Sequence, residues 1–183
     1  MKEFSMFYKS IFILACMLFC LQGMASPGYS EETYIKPINK KIQYVGRISF
    51  KNPNAPSFTY PGIQINARFE GTSLKMVAKP MSGYFMAQID GCEPFKVGFN
   101  SPNDSIVTLA VALPDEAHEV RLTYIIEGVQ RHPEFWGFIL DKGRTLLNPP
   151  YLPKRKIEFV GDSMTCGLGV EGKDEKDPYM AET

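Results

Sequence analysis

Ser163 is the residue whose type and position best fit a chemical role. It follows Gly161 and Asp162, directly after residues 157–160, an apolar stretch that predicts a short buried strand. Glycine permits the sharp reversal that such a turn requires. A serine at the start of a following helix presents its hydroxyl above the sheet, and its own N–H binds an oxyanion. This geometry suits acyl transfer, although Gly-Asp-Ser alone is equally typical of an Asx turn or a helix N-cap.

A serine nucleophile needs a base within hydrogen-bond reach. The sequence contains two histidines, His118 and His132, and we interpret both as loop or strand-end residues without a catalytic role. Asp162 is adjacent to the serine and points elsewhere, so we expect its carboxylate to accept backbone N–H groups of its own loop. Cys166 is a weaker nucleophile candidate because the sequence places no histidine near it.

The region before this serine has the pattern of short antiparallel strands. Apolar and polar residues alternate at 63–69, 74–79 and 120–126, which indicates strands with one buried face. Asp90-Gly91 predicts a hairpin turn between strands at 84–89 and 94–99. Continuous apolar runs at 106–113 and 135–140 predict strands buried on both sides. The regular spacing is typical of a sandwich with jelly-roll connections.

The first 25 residues have the organisation of a signal peptide. Lys2 and Lys9 flank the start, an apolar run covers residues 11–21, and small residues precede a predicted cleavage after Ala25. The run is too short for a stable span of about 20 residues. A lipid anchor on Cys16 is the less favoured alternative, because little apolar sequence precedes it. The sequence therefore predicts a secreted or periplasmic protein without a stable membrane span.

The charge of the chain argues against a nucleic-acid-binding protein, and its cysteine content argues against a fold built on disulfides. The chain has 20 basic and 20 acidic residues, and its only local basic cluster is Lys154-Arg155-Lys156, so we expect no nucleic-acid partner. Two of the four cysteines lie in the predicted signal peptide. For Cys92 and Cys166 we favour buried or partly buried free thiols, with a single disulfide as the alternative.

These features divide the chain into five parts. After the signal peptide come an N-terminal extension at 26–41, a β-sandwich at 42–148 and a stiff proline-rich linker at 149–156. Residues 157–183 hold one predicted strand and one turn, which is too little for a three-layer α/β domain. The expected fold from these patterns is therefore all-β, with a sandwich as its one complete domain.

Residues 157–169, Ile-Glu-Phe-Val-Gly-Asp-Ser-Met-Thr-Cys-Gly-Leu-Gly, resemble the first block of the GDSL, or SGNH, esterases and lipases. The resemblance is strongest to carbohydrate esterase family 2. Residues 143–147 and 148–153 stand where that family has a Gly-Arg-Leu-Leu-like segment and a proline-rich link, and residues 46–50 and 61–74 resemble the opening of its β-domain. The resemblance covers nearly all of the chain after the signal peptide.

This resemblance implies a jelly-roll-like β-sandwich followed by the truncated start of an α/β SGNH hydrolase domain. It also implies a serine esterase that removes acetyl groups from plant polysaccharides such as xylan or glucomannan, without a metal or other cofactor. Ser163 would be both nucleophile and backbone oxyanion donor. The family takes its base from an Asp-x-x-His motif near the end of the hydrolase domain, and residues 1–183 contain no such motif. We therefore expect this chain to be an N-terminal fragment that is inactive alone.

Two further interpretations remain open: a non-catalytic carbohydrate-binding sandwich, and a structural spacer. The only tryptophan, Trp136, or Tyr60 or Tyr84 at strand ends, could stack on a sugar. The neighbours Phe135 and Phe138 favour a core position for Trp136 instead. The sequence does not specify an oligomeric state, the sugar or the acyl group.

Overall fold

The computed structural model describes residues 32–126, 131–149, 151–152, 154–155, 157–165, 167, 170 and 172. The predicted signal peptide and Cys166 lie outside these residues. The described part of the chain forms nine strands and no helix. The strands are β1 (Thr33–Ile35), β2 (Gln43–Val45), β3 (Gln64–Gly71), β4 (Leu74–Ala78), β5 (Gly83–Ile89), β6 (Phe95–Phe99), β7 (Ile106–Ala110), β8 (Glu116–Tyr124) and β9 (Phe135–Leu140).

The strands form two antiparallel sheets. One has four strands in the order β1-β9-β4-β7, and the other has five in the order β2-β3-β8-β5-β6. With the edge strand β2 set aside, the remaining eight strands follow the order 1-8-3-6 and 2-7-4-5, which is the jelly-roll connection. The predicted all-β, jelly-roll-like sandwich is therefore confirmed.

The sandwich also includes residues that the sequence pattern assigns to an N-terminal extension. Strand β1 pairs with β9, placing Thr33 opposite Leu140 and Ile35 opposite Phe138. Ile35 is buried in the core. A strand of three residues is too short to show an alternating pattern, which explains why the sequence does not indicate it.

Alternation along two central strands builds the core, and for β8 it confirms the alternating pattern predicted at 120–126. The buried side chains of β5 and β8 occupy every second position, from Phe85 to Ile89 and from Val120 to Tyr124. Phe58, Phe85 and Tyr124 form edge-to-face or tilted pairs with ring centroids 5.1 to 6.0 Å apart. The Tyr124 hydroxyl donates to the Ser82 carbonyl at 3.0 Å, so the one polar atom of this cluster is satisfied.

The prediction for the apolar run at 106–113 is wrong. Strand β7 ends at Ala110 and lies at the edge of the four-stranded sheet, paired with β4. Ile106 is 52% exposed and Val111 is 67% exposed, whereas Leu109 is buried. An apolar run does not reveal whether its strand will be central or at an edge. The run at 135–140 forms the interior strand β9, in which Trp136 and Ile139 are half-buried and the other residues are buried.

The Asp90-Gly91 turn is confirmed. Both residues have positive φ, 52° and 70°, as a type I′ turn requires, and the Cys92 N–H donates to the Ile89 carbonyl at 2.9 Å. Cys92 is a free thiol but is exposed, contrary to the buried or partly buried position that we expected. Its place in a turn that projects from the sheet accounts for the difference.

Asp141, at the end of β9, holds the β3–β4 turn. Its carboxylate accepts the Thr72 N–H at 2.6 Å, the Thr72 hydroxyl at 3.1 Å and the Ser73 N–H at 3.1 Å, and also the Ser73 hydroxyl. Burial raises the pKa of Asp141, but the hydrogen bonds from Ser73 and Thr72 outweigh it and hold the pKa below its usual 3.8. Gly71 is needed beside it, because a Cβ there would lie 2.7 Å from Asp141 Oδ2. These hydrogen bonds, which we call the Asp141 clamp, connect the turn between β3 and β4 to the C-terminal end of β9.

We expect Asp141→Ala to lower the free energy of unfolding by about 2–3 kcal/mol at pH 7, because several donors lose a charged acceptor. Because the folded pKa lies below 3.8, this stabilisation is present above pH 3.8 and is lost as the pH falls through the folded value. Urea unfolding at pH 7 and at acid pH measures both effects. Asp104→Ala is the control, since Asp104 is exposed in the β6–β7 connection. An Asp141→Ala deficit that is equally large at both pH values would contradict the ionised clamp.

Candidate active site

Residues 157–160 do not form the short buried strand that their sequence predicts. They have no ladder pairing, and Ile157, Phe159 and Val160 are 80%, 80% and 89% exposed. A strand needs neighbours to pair its backbone and to cover its side chains. Within the described part of the chain, no strand pairs with this segment. The local apolar pattern is therefore present without the sheet that would bury it.

Ser163 nevertheless lies in a defined turn, residues 161–165, which we call the serine turn. Asp162 Oδ1 accepts the Met164 N–H at 3.0 Å, so the predicted turn role of Asp162 is borne out by the geometry. Gly161 lies so close to Thr165 that a Cβ would fall 2.0 Å from its hydroxyl oxygen. Gly167 follows with φ of 75° and donates its N–H to the Met164 carbonyl at 3.1 Å. The Ser163 side chain is half-buried.

His118 lies in β8 and is 3% exposed. Its Nδ1 is 2.6 Å from Asp90 Oδ2, and its Nε2 is 2.8 Å from the Pro114 carbonyl oxygen. Both partners are acceptors, so both ring nitrogens are placed to donate, as they do in the imidazolium form. Burial lowers the pKa of His118, but the hydrogen bonds to Pro114 and Asp90 and the negative charges of Asp90 and Glu116 outweigh it, so the pKa is raised. Neither nitrogen is left to accept a proton from a serine.

His132 occupies an exposed turn with φ of 46°. Its carbonyl accepts the Lys79 ammonium at 3.2 Å. Within the described residues, neither histidine ring forms a hydrogen bond to Ser163. The structure therefore does not bring either histidine together with the serine as a nucleophile and base pair.

An open groove of about 600 Å³ lies on the sandwich. Three short segments meet there, joined by isolated bridges between Ser49 and Ser57 and between Ser57 and Glu134. Its lining residues are Gly46, Arg47, Ile48, Ser49, Ser57, Phe58, Thr59, His132 and Glu134. Sequence reasoning missed the groove because these segments are far apart in the chain and none has a distinctive motif.

Arg47 connects the groove to the segment that carries Ser163. Its guanidinium lies 5.8 Å from the centre of the Tyr60 ring, and its Nη2 is 3.5 Å from Glu158 Oε1. Ser163 is five residues beyond Glu158. Since an extended chain advances at most about 3.6 Å per residue, the Cα of Ser163 lies within roughly 18 Å of that of Glu158. The groove therefore contacts the segment that carries Ser163 through the Arg47–Glu158 pair.

Glu134, which lines the groove, is hydrogen-bonded to the only tryptophan of the sequence. Glu134 Oε2 accepts the Trp136 indole N–H at 2.9 Å, and Glu134 Oε1 is 3.7 Å from the Lys79 ammonium. Trp136 is half-buried, so it does not occupy the core position that its aromatic neighbours favoured. Its indole N–H reaches Glu134, which lines the groove.

The described part of the chain contains no group of three or more His, Cys, Asp or Glu side chains placed to hold a metal ion. The described residues also contain no helix that is long and apolar enough to cross a membrane.

Comparison with known proteins gives a consistent result. The family described as Carbohydrate esterase 2 N-terminal matches residues 44–150. The cellulase/esterase CelE of Acetivibrio thermocellus is 34% identical over 144 residues, which is 77% of this chain and 17% of that protein. An acetylxylan esterase / glucomannan deacetylase of Cellvibrio japonicus is 34% identical over 130 residues, which is 68% of this chain and 34% of that protein.

A solved structure shows the same arrangement in three dimensions. The family two carbohydrate esterase from Clostridium thermocellum, determined in complex with cellohexaose, superposes with a TM-score of 0.62 at 35% identity. The match covers 73% of this chain and 41% of that one. This chain thus spans less than half the length of each of these three relatives.

The buried His118 makes stability depend on pH in a predictable direction. A raised folded pKa means that the imidazolium stabilises the fold fully below pH 6.5 and that this contribution is lost as the pH rises through the folded value. We expect His118→Asn to cost about 1–3 kcal/mol at pH 6 and less at pH 9. Urea unfolding at both pH values measures the difference, with the exposed His132→Asn as control. A wild-type advantage over His118→Asn that does not change with pH would rule out the imidazolium.

Proposed function

Because the chain belongs to carbohydrate esterase family 2, we propose that it is the N-terminal part of a secreted serine esterase that removes acetyl groups from xylan- or glucomannan-type polysaccharide. The observation that carries this proposal is the serine turn, in which Gly161 and Asp162 shape the loop that presents Ser163. The names of the relatives support the substrate class, since one is an acetylxylan esterase / glucomannan deacetylase.

In the proposed reaction, the Ser163 hydroxyl attacks the carbonyl carbon of the acetyl group while a base takes its proton. The Ser163 N–H donates to the developing oxyanion, the sugar hydroxyl leaves with a proton, and water then hydrolyses the acetyl-enzyme. We assign the base to a histidine outside residues 1–183, because both ring nitrogens of His118 are placed to donate and His132 is not bonded to the serine. The remaining oxyanion donors are assigned outside this stretch as well.

Ser163→Ala tests the nucleophile in the full-length protein. Loss of a catalytic serine leaves only substrate binding and oxyanion stabilisation, so we expect acetate release from acetylated xylan to fall by about 10³-fold or more. Ser105→Ala, a serine of the β6–β7 connection, is the matched control. Circular dichroism establishes that both variants fold. Full activity in folded Ser163→Ala would assign the nucleophile to another residue.

Residues 26–183 alone test the assignment of the base. A serine without a positioned base loses about 10² to 10⁴ in rate, and each missing oxyanion donor costs about 10² or more. We therefore expect this stretch to hydrolyse 4-nitrophenyl acetate no faster than its own Ser163→Ala variant. A serine-dependent rate that disappears in His132→Asn would instead identify His132 as the base.

A further inference from the structure

We propose that the groove on the sandwich binds the neutral backbone of a saccharide chain, and that it extends the substrate path away from Ser163. The identity of the polymer, a xylan- or mannan-type chain, rests on the proposed function. The binding itself rests on the groove, and it requires no catalysis.

The first support is a set of uncommitted polar groups. The hydroxyls of Ser49, Ser57 and Thr59 and the ring of His132 line the groove, and within the described residues none has a hydrogen-bond partner. A hydroxyl both donates and accepts, which matches the hydroxyls of a sugar. The backbone of Ser49 and Ser57 is paired, with the N–H of each donating to the carbonyl of the other at 2.8 and 3.0 Å. The side chains are therefore held in place while their hydroxyls remain available.

The second support is the balance of charge. The groove contains one guanidinium, Arg47, and one carboxylate, Glu134. Each already has a partner of opposite sign, Glu158 at 3.5 Å and Lys79 at 3.7 Å. With no excess of either sign, the groove has no preference for an anionic chain, whereas planar charged groups form paired hydrogen bonds with adjacent hydroxyls. A neutral polyhydroxylated ligand fits this lining.

The shape and the apolar lining of the groove suit a polymeric ligand. A volume of about 600 Å³ lies within the roughly 300–1,000 Å³ range of ligand sites, and the groove is open. Ile48, which is half-buried, supplies apolar surface for the C–H face of a sugar ring. Tyr60, 56% exposed, stands beside Arg47 at one end. An open site allows a long chain to pass through it.

The third support is continuity with the serine turn. Arg47 lines the groove and contacts Glu158, which is followed by Ser163 after five residues. A chain that occupies the groove and runs past Arg47 reaches the segment that carries the serine. The groove would therefore hold sugars some units away from the acetylated one.

Trp136 makes the proposal directly measurable, because its indole N–H is bonded to Glu134 and it is the only tryptophan in the 183 residues. The experiment titrates the intrinsic fluorescence of this chain, carrying Ser163→Ala, with xylohexaose, mannohexaose and hexagalacturonate. We expect a saturable change with the two neutral sugars and a weaker one with the anionic sugar. No change at millimolar neutral sugar, or tighter binding of hexagalacturonate, would overturn the proposal.

Variants then locate the site. We expect Arg47→Ala and Glu134→Gln each to weaken binding of the neutral sugars by 10-fold or more. Arg68→Ala and Glu119→Gln are the matched controls, since these residues are also an opposed Arg and Glu pair, exposed on neighbouring strands outside the groove. Thermal unfolding of each variant shows that folding is retained. An equal loss in the control pair would overturn the assignment of the site.

The full-length esterase separates this inference from the proposed function. Groove variants should raise KM for acetylated xylan and leave both kcat and 4-nitrophenyl acetate hydrolysis unchanged, because the groove binds ground state and transition state equally. If the groove instead receives the hydrolase domain, Arg47→Ala will lower the unfolding temperature and leave KM unchanged, which overturns the proposal. If Ser163 is not the nucleophile, the binding results still stand.

Discussion

The hydrogen bonds of the Asp141 carboxylate determine where the chain leaves the sandwich. They hold the β3–β4 turn against the end of β9, and the chain then crosses back over the other sheet. Leu146 is fully buried, its bridge opposes Phe69, and the Leu147 N–H donates to the Arg68 carbonyl at 2.7 Å. Because this return path is fixed at both ends, the linker starts from one defined point. The position of the residues after the linker, including Ser163, depends on where the linker starts.

After the linker, the described chain is no longer held by burial of its apolar side chains. The apolar side chains of residues 157–160 are exposed, and the described contact that links this segment to the groove is the Arg47–Glu158 pair, with side chains 73% and 70% exposed. Such a surface pair contributes about 0–1 kcal/mol, whereas burying one large apolar side chain contributes about 1.5–3 kcal/mol. The stability of this segment therefore depends on cover for its apolar residues. The remainder of the proposed hydrolase domain would provide it, with strands on both sides of residues 157–160.

Local patterns in the sequence predict local structure well. The alternation of β5 and β8, the positive φ values of Asp90 and Gly91 and the Asx turn at Asp162 each depend on a few consecutive residues. What the sequence does not reveal depends on distant partners. Strand β1 forms because it pairs with β9. Strand β7 is partly exposed because it lies at the edge of its sheet. The groove forms where three segments that are distant in the sequence meet. The role of Asp141 likewise depends on Thr72 and Ser73, which are distant in the sequence and donate hydrogen bonds to its carboxylate.

The contact between the groove and the serine segment has a consequence for selectivity. An acetyl group is small, so it offers an esterase little surface by which to distinguish one ester from another. Binding energy from remote, unreactive parts of a substrate lowers KM for the esters that carry those parts, and so raises kcat/KM for them. In the proposed enzyme that energy comes from the sugar backbone, for which the sandwich presents hydroxyls, the apolar surface of Ile48 and two balanced charges beside the segment that carries Ser163. The β-domain would then contribute to the choice of polymer, while the hydrolase domain contributes the chemistry.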